Sequence, residues 1–177
     1  MSPEEQDAEA RLRAFFAEHA LPWHHHSHPP LFTVEDSRSL RGDIPGAHVK
    51  NMFLKEKKGG LWLVTCLEDR RVRIRDLEKA MGARGCSFAK PELLWQTLGV
   101  RPGAVTPFAA LQAGPEQIRV VLDRDLSLHG EINAHPLHNR ATLTISYENL
   151  IRFLHLTGHD PFLVDFAALE RTDTTSA

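Results

Sequence analysis

Cysteine is scarce: Cys66 and Cys86 are the two in 177 residues. Without zinc-knuckle spacing or further cysteines, they argue against a disulfide scaffold. No apolar run reaches the length of a membrane helix, and no early segment has the layout of a secretory leader. A cytoplasmic protein with reduced thiols and no membrane attachment is therefore expected. Charge of one sign is not in excess either, with 21 Lys and Arg against 23 Asp and Glu and a formal net charge of -2. That balance advertises no global field for nucleic acid, although a local basic strip can be offset by acid elsewhere. Internal repeats, a P-loop, a dinucleotide fingerprint, the HExxH zinc helix and the G-x-S-x-G elbow are all missing.

What is present is enough apolar sequence for one core, 42% of the chain. Residues 3–19 read as an amphipathic helix capped by Ser2 with Glu5, carrying Ala8, Leu12, Phe15 and Phe16 at three- and four-residue spacing. A short helix is expected after Thr33, ending near Gly42, and others over 76–81, 90–98 and 147–156. Strands are expected over 47–53, 61–67, 116–123, somewhere in 125–132, and over 141–145 and 160–166. The apolar run at 61–67, with little polar interruption, reads as a central strand buried on both faces. Helices and strands alternate without regular βαβ spacing, so the expected class is α+β, with a mixed, strongly curved, barrel-like sheet surrounded by helices. One domain over 1–168 and a disordered polar tail over 169–177 complete the expectation.

The chemistry has to come from what remains. Cys66 lies inside the apolar run and reads as an inert core thiol. His24, His26 and His28 would share one face of a strand, a conceivable metal comb, but no Cys, Asp or Glu stands beside them and a partly exposed imidazole tract is favoured. Lys50 and Asn51 interrupt a strand-like run. The stretch GVRPGAVTPFA, 99–109, combines two glycines with two prolines and so offers stiff, bare backbone. His135 and Asn139 precede another strand. Together these groups could bind an ester, orient water and offset oxyanion charge without a nucleophilic side chain.

Three segments, IPGAHVKNMFLKEKKGGLWLVTC, LGVRPGAVTPFA and INAHPLHNRATLTIS, make the chain resemble the bacterial YbaK and prolyl-tRNA editing family. Within it, the chain looks most like the freestanding deacylases that remove alanine mischarged onto proline tRNA. The resemblance implies a barrel-like sheet with surrounding helices, no metal or other cofactor, and water activated with help from the substrate's own ribose hydroxyl. It places the family's lysine at Lys50 and its G-x-x-x-P loop at Gly103, Ala104, Val105, Thr106 and Pro107. His135 joins Lys50 and Gly103 as a catalytic candidate; Asn51, Asn139 and the other loop residues become substrate-binding candidates. Arg71, Arg73, Arg75, Arg84, Lys90 and Arg140 are candidates for tRNA phosphates. The implied partners are mischarged tRNA, with tRNA(Pro) first, and transiently an aminoacyl-tRNA synthetase. Cysteine or serine as the edited residue, or a non-catalytic aminoacyl-tRNA binding module, are the alternatives.

Overall fold

The computed structural model describes residues 1–31, 34–41 and 44–174. Its helices are α1 (Pro3–Glu18), α2 (Val34–Arg41), α3 (Ile74–Met81), α4 (Pro91–Leu98), α5 (Tyr147–Leu156) and α6 (Phe166–Thr174). Its strands are β1 (His24–Ser27), β2 (Ala47–Lys55), β3 (Leu61–Leu67), β4 (Ser87–Phe88), β5 (Arg119–Asp123), β6 (Glu131–Ala134), β7 (Ala141–Ser146) and β8 (Phe162–Val164). They form one mixed sheet in the order β1-β7-β6-β2-β3-β5-β8, with β4 beside β2. The expected α+β class and curved sheet are what is found, and the sheet stays open rather than closing into a barrel.

The organising strand is β3. Trp62 through Cys66 are all fully buried, so the strand divides two cores. Leu63 faces the larger one with Phe16, Phe108 and Phe153. Trp62, Val64 and Cys66 face the smaller one, under α3 and α6. Alternation across the pleat makes that division, because successive side chains of a strand point to opposite faces. β2 runs antiparallel to β3 from Val49 to Lys55 and inherits the same two faces. Ser2 caps α1 in a full capping box with Glu5, and Ser146 caps α5.

Two expectations need correcting. Residues 125–132 hold not only a strand: a 3-10 turn, Arg124–Leu128, precedes β6. The expected disordered tail is largely helical. Phe166 is fully buried, Asp165 Oδ1 accepts from Ala168 N–H at 2.9 Å, and Glu170 pairs with Arg70. An apolar anchor and two carboxylates thus hold α6 despite its polar composition. The expected ends of α2, Thr33 and Gly42, lie outside the described residues.

Candidate functional site

The sheet splits along one edge of β2. β3 occupies the other edge along its length. On the first edge, β6 pairs with β2 only at Ala47 and His48, and β4 only at Leu54 and Lys55. Between them no described strand covers β2. Glu68 N–H donates to His48 O on the β3 side, while Ala89 N–H donates to Phe53 O on the opposite side. Backbone alternation therefore turns the peptide group of Asn51 toward the gap.

A cavity of about 50 Å³ occupies this gap. By the same measure one water needs roughly 10–15 Å³, so the space suits a small group. His48, Val49 and Asn51 come from β2, Asn133, Ala134 and His135 from the end of β6, and Thr142 from β7; His28 and Leu31 close the far side.

The polar groups are held in defined states. His135 Nδ1 lies 2.9 Å from Ala141 O and must donate there, which leaves Nε2 as an acceptor. Burial lowers the pKa of His135, only partly opposed by the Ala141 hydrogen bond, so the ring is neutral near pH 7. His28 Nδ1 meets Pro29 O at 2.8 Å and its Nε2 meets Thr142 Oγ1 at 3.0 Å. Asn51 Oδ1 accepts from Thr65 Oγ1 at 2.7 Å, which leaves its amide hydrogens to donate. Asn133 accepts from Thr144 Oγ1 at 2.5 Å and donates to Pro45 O at 2.9 Å. Beside it Gly46, at φ +103°, lets the backbone approach β6, where a Cβ would meet Glu131 O at 2.9 Å.

The loop carrying His135 and Asn139 is tied to α1. His138, 3% exposed, donates from Nε2 to Glu9 Oε2 at 2.9 Å and accepts Arg140 N–H at Nδ1, 3.1 Å away. Glu9 also receives Arg13 at 2.6 Å and faces His25 at 3.2 Å. Burial works against ionisation of Glu9, but hydrogen bonds from Arg13 and His138 outweigh it and lower its pKa. Leu137 sits at φ +72°, a strained choice for a branched side chain that these bonds hold in place. Sequence reasoning missed Glu9 and His138. One signal was available: Glu9 shares the spacing of Leu12 and Phe16 on the buried stripe of α1, and a carboxylate there requires partners.

The sequence candidates are thus partly gathered. Asn51 and His135 line the cavity. Asn139 donates to Leu31 O at 3.0 Å, and a Cβ on Gly103 would lie 4.0 Å from its amide. The 103–107 loop thus lies beside Asn139 and is not among the described residues that line the cavity: Ala104, Thr106 and Pro107 are buried and Val105 packs on the larger core. Lys50, one residue from Asn51, is on the opposite face of β2, where its ammonium donates to Arg70 O. Arg70 is itself held by Asp123 at 2.8 Å, Asp125 at 2.5 Å and Glu170 at 3.2 Å. Arg71, Arg73 and Arg75 are exposed at the start of α3, and Arg73 pairs with Asp76 at 2.7 Å. Arg84 and Lys90 flank β4, and Arg140 follows His138.

Of the histidine comb, His26 bonds Thr144 at 3.1 Å and His28 bonds Thr142. Among the described residues, no three His, Cys, Asp or Glu are grouped to hold a metal ion. Burial pushes the Cys66 thiol up to about 12 and the Cys86 thiol up to about 11, so neither is a ready thiolate.

Residues 28–153 match the aminoacyl-tRNA editing domain model. The chain belongs to the aminoacyl-tRNA editing domain family. The match takes in the cavity walls, while α1, with Glu9, and α6, with Glu170, lie outside it. Among relatives of this editing domain, the Danio rerio prolyl-tRNA synthetase associated domain-containing protein 1 is 38% identical over 141 residues, covering 78% of this chain and 77% of the relative. The prolyl-tRNA editing protein ProX of Acetoanaerobium sticklandii is 31% identical over 133 residues, covering 75% and 81%. A solved structure described as a candidate trans-editing enzyme for prolyl tRNA synthetase shares the fold, with a TM-score of 0.70, 20% identity and coverage of 93% of this chain and 98% of that one. No helix of the described residues is long and apolar enough to cross a membrane.

Proposed function

We propose that this chain is a trans-editing deacylase that hydrolyses alanyl-tRNA(Pro) by metal-free, substrate-assisted ester cleavage. The observation that carries the reading is the cavity of about 50 Å³ with the acceptor nitrogen of His135 and the amide of Asn51 in its walls. In this reading the cavity takes alanine's methyl and discriminates by size against the larger proline ring. Among the described residues the walls hold no cysteine or serine, and Thr142 is engaged by His28, so in this reading water is the nucleophile. Its oxygen attacks the ester carbonyl carbon, the charge developing on the carbonyl oxygen is met by N–H donors, and the ester C–O bond then breaks. The ribose oxygen leaves with the proton that water released, relayed through the neighbouring ribose hydroxyl with His135 orienting the water.

Lys50 acts from the other face of β2 in this scheme. Its flexible stem allows the ammonium to leave Arg70 O and meet a phosphate. Arg71, Arg73, Arg75, Arg84, Lys90 and Arg140 take further phosphates of the tRNA, in a cytoplasmic protein that meets prolyl-tRNA synthetase transiently.

The test is release of amino acid from a panel of mischarged tRNAs, with and without chelator. Alanyl-tRNA(Pro) is expected to be cleaved fastest, and chelator to change nothing. Faster release of cysteine or serine would reassign the substrate, binding without release would make the chain an accessory module, and loss of activity in chelator would return the histidines to consideration.

A further inference from the structure

β4 lies on the same edge of β2 as the cavity, further along the strand. Lys55 follows Asn51 by four residues, roughly 13 Å at strand spacing. There a hollow of about 620 Å³ is walled by Lys55, Lys57, Phe88, Lys90 and Leu93, with the carboxylates of Glu56 and Glu92. Phe88 is 61% exposed, unusual for an aromatic ring on a paired strand, and is fixed by its register opposite Leu54 and by Ala89 N–H on Phe53 O. Lys55, Lys57, Lys58, Arg84 and Lys90 are all exposed, and none has an ion pair among the described residues. The nearby Glu56 carboxylate accepts Arg84 N–H at 3.2 Å. In a chain of net charge -2, this corner gathers more cations than its carboxylates Glu56 and Glu92 offset around a bare aromatic face.

We infer that the β4 hollow binds the single-stranded 3′ end of RNA that leads into the cavity, with Phe88 stacking on a base and Lys55 and Lys57 holding phosphates. The inference rests on the editing reading and adds to it a second contact site. Cations alone would suit any polyanion; an exposed ring set between them suits unpaired bases, which offer a π-face to stack. The shared open edge gives the direction, with the ester at Asn51 and the preceding nucleotides along β2 toward Lys55.

Two measurements test it on Phe88→Ala and on the double variant Lys55→Gln, Lys57→Gln. Binding of uncharged tRNA, followed by fluorescence anisotropy, is expected to weaken about tenfold for Phe88→Ala. The double variant is expected to flatten the salt dependence, lowering the slope of log K against log salt by about 1.4. Hydrolysis of 3′-O-alanyl-adenosine, too short to reach the hollow, is expected to keep its rate in both variants. Unchanged tRNA binding would overturn the inference and leave the surface to an acidic protein partner, and an equal loss on the short ester would overturn it by placing the damage in the cavity. Failure of the wild-type chain to cleave the short ester or alanyl-tRNA would count against the editing reading, while the binding arm still decides the hollow.

Discussion

His135 shows how one hydrogen bond and burial set a side chain's chemistry. Ala141 O fixes which nitrogen carries the proton, and burial lowers the pKa below the ordinary 6.5. In the proposed mechanism, kcat/KM should rise with pH through an apparent pKa under 6.5 and level off above it; a limb centred at higher pH would separate His135 from the rate. Stability follows the same sign. The unfolded chain takes up the proton first as pH falls, so this residue's contribution is present above 6.5 and is lost through the acid side of that value. His135→Ala should cost about 100-fold or more in kcat/KM. Lys50→Ala tests a different claim, since that side chain lies across β2 from the cavity. A phosphate-binding Lys50 predicts a higher KM on tRNA with little change on alanyl-adenosine.

Among the elements, α1 matters more than its distance in sequence from the site suggests. Its Glu9 holds His138, and His138 holds the strained turn between His135 and Asn139. Glu9→Ala would leave a buried imidazole N–H without its acceptor, at a cost of about 1–3 kcal/mol, readable as a lower urea midpoint. Activity should fall with it, because the turn that aims His135 loosens. Glu9→Gln keeps an acceptor and should recover most of both. Helix caps, the central position of β3 and the apolar stripes were legible in the sequence because they obey local periodicity. The Glu9–His138 contact was not, because it joins groups far apart in the chain, and neither was α6, whose anchors Phe166 and Glu170 act through tertiary partners. Lys50 and Asn51 looked like one polar pair in sequence; the pleat sends them to opposite faces.

At the scale of the whole molecule, the two cores pin β3 and most of β2, while the sheet parts beside Asn51. Sequence segments that looked separate meet around that parting: β2, the end of β6 with His135, Thr142 of β7, and the segment of His28 and Leu31. Covering strands would have filled the space the proposed substrate needs. The uncovered edge also makes the backbone itself a reporter. The Asn51 amide, turned toward the gap, should exchange its hydrogen for deuterium faster than the amides of Lys50 and Met52, which face β3. A non-hydrolysable alanyl-adenosine analogue should slow that one amide, so the occupancy of the cavity could be followed at a single peptide bond without touching any side chain.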